Sequence, residues 1–537
     1  MSSFSVCWLL FLLLLPILTL YPSCWASSNS ITLSLTTQYH YHHSENSSPL
    51  SVVAYASIQR ARHLKRSTSA TTLVYPVSIG CHITTLGFGT PAQPLDFILD
   101  TGSGLVWFPC GPNYNCTACN NVTNIPTFNP KLSSSSKNAS CISPQLKRID
   151  PHFRPCTSCW QHPTHNCSKK YIHYEYGYGE GSTRGQLMLE SLTLSAAGNN
   201  INVPNLLVGC SNSSDNVSLY GIAGFGRSRM SLPAQLGLKS FSYCLVSHKY
   251  DDNKRIHSPL VLNWGDGRHV NVMNHTPFAN TTNISTFPQF QEFYYVSLLE
   301  IHVGCVKVNV SSTDLVANAD GSGGTFVDSG TTLTVMEKSV FDPIAHELDK
   351  QLLGKRYTRS KEEEAATGLG LCYSVPCKAN ISDLPALTFV FAGSVQMVMP
   401  FENSFIYNTT SAAICSTMIS YGDLGIPYDG PAIILGNYMQ QNFQMEFDLH
   451  NNQLGFYHTD CTHGISYSLA CDHESNSHFS IVSFDFATEE FSLSPWRHVN
   501  DERFWPNGFC LIEYEGLLEF MYWPPFDLCR EALDRDV

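Results

Sequence analysis

A short pattern occurs twice in this chain, and it restricts the fold more than any other feature. Phe97-Ile-Leu-Asp100-Thr101-Gly102-Ser103 runs from apolar residues into Asp, a hydroxyl residue, Gly and a second hydroxyl residue. Thr325-Phe-Val-Asp328-Ser329-Gly330-Thr331 does the same 228 residues later, a separation of about one lobe. At average residue frequencies one copy arises by chance in roughly 3% of chains this long, and two copies in roughly less than 1%. A second matched pair follows: Gly221-Ile222-Ala223-Gly224 and Ile433-Ile434-Leu435-Gly436, whose last glycines lie 124 and 108 residues beyond Asp100 and Asp328. An apolar–apolar–Gly step lets one backbone pass close to another.

The surrounding texture is short β-type runs broken by Gly and Pro, such as Leu95-Asp-Phe-Ile-Leu, Gln186-Leu-Met-Leu-Glu-Ser-Leu-Thr-Leu and Phe293-Tyr-Tyr-Val-Ser-Leu-Leu-Glu-Ile. Many short strands with turn signals predict an all-β protein. One helix is expected, where Val340, Ile344, Leu348 and Leu352 recur at i+4 steps, with Pro343 acceptable only in its first turn. Residues 266–290 are rich in Asn, Thr and Pro without a period and read as a linker. Charged residues make up 14% and hydrophobic ones 43%, which suits a large core and excludes wholesale disorder. A net charge of −13 argues against a protein that works by neutralising phosphates, so no nucleic-acid partner is expected.

With both motif pairs on its strands, the chain resembles the pepsin-like aspartic proteases over about residues 75–462. The cysteine-rich stretch between Cys110 and Cys167, Ser231-Leu-Pro-Ala-Gln-Leu-Gly and Phe241-Ser-Tyr-Cys-Leu resemble the plant nepenthesin-like or atypical branch. The resemblance implies a bilobal fold with a cleft between two pseudo-twofold-related lobes, 73–265 and 291–462. Asp100 and Asp328 would be the catalytic pair of an endopeptidase acting on polypeptides at acid pH. Thr101, Gly102, Ser103, Ser329, Gly330 and Thr331 would support them, with Ser103 and Thr331 bonded to the outer carboxylate oxygens. Two close carboxylates share a proton because both cannot easily ionise, and aspartic proteases are the standing example of that behaviour. The family also carries a flap tyrosine before a Gly-x-Gly turn. Here Tyr178 is the candidate, Tyr174 and Tyr176 are its alternatives, and Trp107 stands where an indole would support it. No cofactor and no metal are implied, and a monomer is expected. The competing reading is a catalytically inactive secreted binding or inhibitor protein on the same fold.

The N-terminus fits export. An apolar run from Trp8 to Leu20 ends near Ala26, which reads as a signal peptide over 1–26, with an N-terminal anchor as the alternative. A Ser-rich stretch with the basic run Ile58-Gln-Arg-Ala-Arg-His-Leu-Lys-Arg66 then reads as a pro-segment over 27–72. Thirteen Asn-x-Ser/Thr sequons, from Asn46 to Asn408, favour passage through the secretory pathway, to the cell wall or a vacuole, with no membrane contact after signal removal. In that compartment Cys116-x-x-Cys119 and Cys156-x-x-Cys159 are expected as disulfides, with a zinc site using His162 and His165 as the alternative. Fifteen cysteines between leader and tail cannot all pair with one another, and Cys81 and Cys305 are the candidates for a buried thiol. Residues 463–537 carry −10 of the charge and no sequon, and they resemble a fragment of a plant F-box-associated domain. They read as a non-protease tail, either a fused or mispredicted gene end or an appendage that binds a partner.

Overall fold

The computed structural model describes residues 69–462, apart from 118, 120–124, 149–171, 180, 197–198, 216, 255, 266–272, 282–287, 377–383 and 422–429, together with the backbone of 465–471, 479–485, 490–495, 513–514 and 517–518. The expected signal peptide, the expected pro-segment up to residue 68, Cys156, Cys159 and Cys167, and the sequons at Asn46, Asn121, Asn166, Asn216, Asn283 and Asn380 lie outside the described residues.

Strands β1 (Ser69–Val77), β2 (Cys81–Phe88), β3 (Gln93–Asp100) and β4 (Val106–Pro109) open the fold. The hairpin strands β5 (His173–Gly177) and β6 (Ser182–Ala196) follow, then β7 (Asn199–Asp215), β8 (Gly221–Gly224), β9 (Ser240–Cys244) and β10 (Ser258–Asn263). β11 (Asn274–Pro277), β12 (Thr325–Val327), β13 (Thr334–Met336), β14 (Ile433–Leu435), β15 (Phe443–Asp448) and β16 (Gln453–His458) complete the framework. Helix α1 (Lys338–Leu353) follows β13, and the short α2 (Asn437–Gln440) follows β14. The fold is all-β and bilobal in kind, its sheets carrying only a few short helices besides α1.

The duplicated motifs produce duplicated topology. β3 runs parallel to β8 with Asp100 opposite Gly224, and β8 runs antiparallel to β4. In the other half β12 runs parallel to β14, and β14 runs antiparallel to β13. Thus each Asp loop threads between the two partners of one apolar–apolar–Gly strand. The glycines are needed there because a Cβ on Gly224 would sit 2.6 Å from the Gly104 carbonyl carbon, and one on Gly436 would sit 2.6 Å from that of Leu333. Phe97 to Asp100, Gly221 to Gly224 and Thr325 to Val327 are buried at every position, which places these strands in the middle of the core. Outer strands such as β10 alternate buried and half-buried residues instead.

Three expectations need revision. The stretch read as a linker contains β11, which pairs with β16; Asn274-His-Thr-Pro has no apolar alternation, so only its sheet partner makes it a strand. β1 starts at Ser69, opposite Asn263, four residues before the expected lobe start. Pro343 is the sixth residue of α1, in the second turn. It is tolerated because Ser339, whose carbonyl loses an intrahelical donor, is exposed to water. The chain's closing strands β15 and β16 also join β9, β10 and β1 in a single sheet, so the two halves share backbone ladders. Phe241 and Phe447 stack there at 4.6 Å.

Disulfides join Cys110 to Cys210, Cys116 to Cys119, Cys244 to Cys461 and Cys372 to Cys415. Cys81 and Cys305 take no part in a disulfide; Cys81 is buried, but Cys305 is exposed because it follows Gly304 in a hairpin turn. The tail strands 465–471, 479–485 and 490–495 form a sheet of their own, and among the described residues none pairs with the main framework.

If the glycine steps are steric requirements, Gly224→Ala should cost about 1–3 kcal/mol by overpacking, read as a lower denaturant midpoint. Gly354→Ala, at a helix end with φ −61° and only ordinary contacts, should be neutral within about 0.5 kcal/mol.

Candidate active site

Asp100 ends β3 and Asp328 follows β12 directly, so each carboxyl is delivered by a buried strand to the tip of a tight loop. Within each loop the bonding is the same. Gly102 N donates to Asp100 Oδ1 at 2.9 Å, and Gly330 N to Asp328 Oδ1 at 2.8 Å. Ser103 Oγ donates to Asp100 Oδ2, and Thr331 Oγ1 to Asp328 Oδ2 at 2.6 Å. The loops meet face to face. A Cβ on Gly102 would lie 2.5 Å from Asp328 Oδ2, and one on Gly330 would collide with Asp100 Oδ1.

Thr101 and Ser329 clasp the loops from below. Thr101 Oγ1 donates to Val327 O at 3.0 Å and accepts from Ser329 N at 2.9 Å. Reciprocally, Ser329 Oγ donates to Leu99 O at 2.7 Å and accepts from Thr101 N at 3.1 Å. Both residues are fully buried, so each hydroxyl satisfies one donor and one acceptor that have no water to turn to.

Asp100 and Asp328 are only 6% and 8% exposed. Burial, and for Asp100 the neighbouring carboxylate as well, push Asp100 up to about 8 and raise Asp328 above its usual range. The two titrate as a pair that retains a proton well above the ordinary carboxylate range. A folded pKa above the unfolded one means that the native state binds more protons between those values. Stability from this source is therefore full below about pH 4 and is lost as pH rises toward about 8.

Over the loops, the β5–β6 hairpin sorts the three candidate tyrosines. Tyr178, at the turn, accepts a hydrogen bond from Trp107 Nε1 at 2.8 Å. Burial first, and then the charges of Tyr176 and Asp100, raise its pKa well above the usual value, which keeps it a neutral phenol. The Tyr176 hydroxyl accepts from Gly104 N at 3.2 Å, whereas Tyr174 is buried against Thr183. Trp107 is fully buried. Sequence reasoning gave no role to Tyr243, whose hydroxyl donates to Gln440 Oε1 at 2.6 Å and whose surroundings include the charge of Asp328. Its signal was in the Phe241-Ser-Tyr run, and that of Gln440 just after the Gly436 step.

Comparison with known proteins places this geometry. A family model described as xylanase inhibitor N-terminal matches residues 82–262, and one described as xylanase inhibitor C-terminal matches 293–458. A probable aspartyl protease of Arabidopsis thaliana is 31% identical over 72% of this chain and 84% of its own. The chain belongs to the pepsin-like aspartic protease family. Aspartic proteinases nepenthesin-2 and nepenthesin-1 of Nepenthes gracilis are 30% and 31% identical, over 74% and 71% of this chain and 82% and 78% of theirs. The solved structure of edgp has a TM-score of 0.57 at 19% identity, covering 73% of this aspartic protease homologue and 95% of that chain. Basic 7S globulin from soybean has a TM-score of 0.51 at 20% identity, covering 74% and 97%. Those two likenesses establish the fold.

Thr101→Val should leave Ser329 N–H and Val327 C=O buried without partners, at about 1–3 kcal/mol for each group. Thermal unfolding would show the loss, and Thr101→Ser should restore most of it. Exchanging both aspartates for Asn should also flatten the decline of Tm between about pH 4 and about pH 8 that the retained proton imposes.

Proposed function

We propose that this chain is a secreted aspartic endopeptidase that hydrolyses peptide bonds at acid pH through a water activated by Asp100 and Asp328. The observation that carries the reading is the clasped pair of buried carboxyls with raised pKa values, covered by a hairpin whose Tyr178 is fixed by Trp107. One ionised carboxylate takes a proton from water as it attacks the peptide carbonyl. The protonated partner donates to the developing oxyanion, and a proton then reaches the leaving nitrogen. Ser103 and Thr331 occupy the outer oxygens, so the inner oxygens stay available for this exchange. Polypeptides in extended form suit a cleft between two lobes, and Tyr178 would close over them.

Secretion, a removable pro-segment and glycosylation belong to the same proposal. The disulfides suit an oxidising compartment. Acceptor residues Asn115, Asn138, Asn212, Asn274 and Asn309 are exposed. Asn408 instead donates to Glu363 Oε1 at 2.6 Å, which makes it the poorest acceptor of the described set. The 463–537 segment is assigned outside the protease, in keeping with family matches that end at residue 458.

A catalytically inactive binding or inhibitor role on the same fold is the second reading, favoured by the description of the matching family models. Cleavage of a denatured protein at acid pH decides between them. Asp100→Asn and Asp328→Asn should each lower kcat at least about a hundredfold, within the range of acid–base assistance of roughly 10²–10⁴, while secretion continues. The pH–rate profile should be bell-shaped. Absence of cleavage at every pH after removal of the pro-segment would favour the inhibitor reading.

A further inference from the structure

A buried polar chain ends on the Asp328 loop and takes no part in the hydrolysis step itself. It begins at Asp251, whose Oδ1 lies 2.7 Å from His248 Nδ1. On the other side of that ring, His248 Nε2 lies 3.0 Å from Asn437 Oδ1. The Asn437 amide nitrogen donates to the carbonyls of Gly80 at 2.9 Å and Ser329 at 3.2 Å. The His248 side chain is 3% exposed, and Asn437 is fully buried. The chain links the two halves of the fold. Gly80 sits in the β1–β2 turn and His248 follows β9, while Asn437 opens α2 immediately after the Gly436 step. The loop is held elsewhere by the same helix start, since Asn437 N donates to Thr331 O at 2.7 Å.

Donor and acceptor accounting fixes the protons. Gly80 O and Ser329 O can only accept, so the Asn437 atom facing them is the NH2 and the atom facing His248 is the oxygen. An ionised Asp251 also only accepts. Both ring nitrogens of His248 therefore face acceptors, and the chain is fully bonded only when the ring is an imidazolium. The titratable groups around it are Asp251 from its own turn, His82 from β2 and Tyr438 from α2, whose ring stacks on it at 4.8 Å. His82 plays the opposite part. Its Nε2 faces Val246 O at 2.7 Å, its Nδ1 has no partner among the described residues, and burial followed by the His248 charge lowers its pKa to about 3. It stays neutral.

We propose that His248, held between Asp251 and Asn437, is a positioning residue that fixes the Asp328 loop through the Asn437 amide. The inference rests on the peptidase reading above. Without the ring at its oxygen the Asn437 amide is free to turn, and turning presents that oxygen to the Ser329 and Gly80 carbonyls, so its bonds to the loop and to the β1–β2 turn are lost. The Ser329 backbone is then anchored by the Thr101 clasp alone.

The test compares processed wild type with His248→Gln and Asp251→Asn at the acid optimum, following kcat and KM, with Tm in parallel. His248→Gln should lower kcat about tenfold, with KM within about twofold. Asp251→Asn, at a site 28% exposed, should lower kcat in the same direction by about threefold, again with KM within about twofold. If His248→Gln fails to fold, the Asp251→Asn loss alone decides. An active wild type whose kcat neither substitution changes would overturn the relay and leave the peptidase reading intact. An inactive wild type would defeat the peptidase reading, and the Tm comparison would still decide whether His248 anchors the loop: a lower Tm supports the anchor and an unchanged one overturns it.

Discussion

Two carboxyl groups facing each other in a nearly dry site would repel both each other and the low-dielectric interior if both were charged. Asp100 and Asp328 are tolerated because they retain a proton and because four donors, two backbone and two hydroxyl, satisfy their oxygens. Everything around them serves to keep that arrangement in place. The reciprocal bonds of Thr101 and Ser329 couple the loops, and neither loop can move without orphaning buried backbone groups of the other. The raised pKa values follow from the same burial that makes the clasp rigid.

The fold is built to deliver these loops as equals. Each Asp strand pairs in parallel with an apolar–apolar–Gly strand, and each loop passes over the glycine that ends it. What lies behind the loops is not equal. The Asp100 side meets the hairpin, through Gly104 to Tyr176 and through Trp107 to Tyr178, whereas the Asp328 side meets α2, His248 and Gly80. A symmetric site with asymmetric backing gives two chemically similar carboxyls different surroundings.

Several features escaped a reading of the sequence because they depend on distant partners. β11 is polar and aperiodic and becomes a strand only against β16. Cys305 sits in a strand-like run yet is exposed, because Gly304 with φ 56° turns the chain there. His248 and Asn437 are 189 residues apart, and no local pattern announces their contact. Tyr174, Tyr176 and Tyr178 recur every second residue along β5 and into its turn, and their partners, not their spacing, distinguish them.

The sequence alone determined the all-β class, the duplication, the two aspartates and the hydroxyl residues beside them. Each of those is a local demand: a buried strand needs apolar residues, a tight loop needs glycine, and a carboxylate needs a nearby hydroxyl donor. Only the tertiary structure decided that Thr101 and Ser329 bond to each other, that Tyr178 is the tyrosine on Trp107, and that the closing strands of the chain complete the sheet begun by β1. Those contacts join residues far apart in the chain, so they exist only once burial has excluded water and left each donor a single available acceptor.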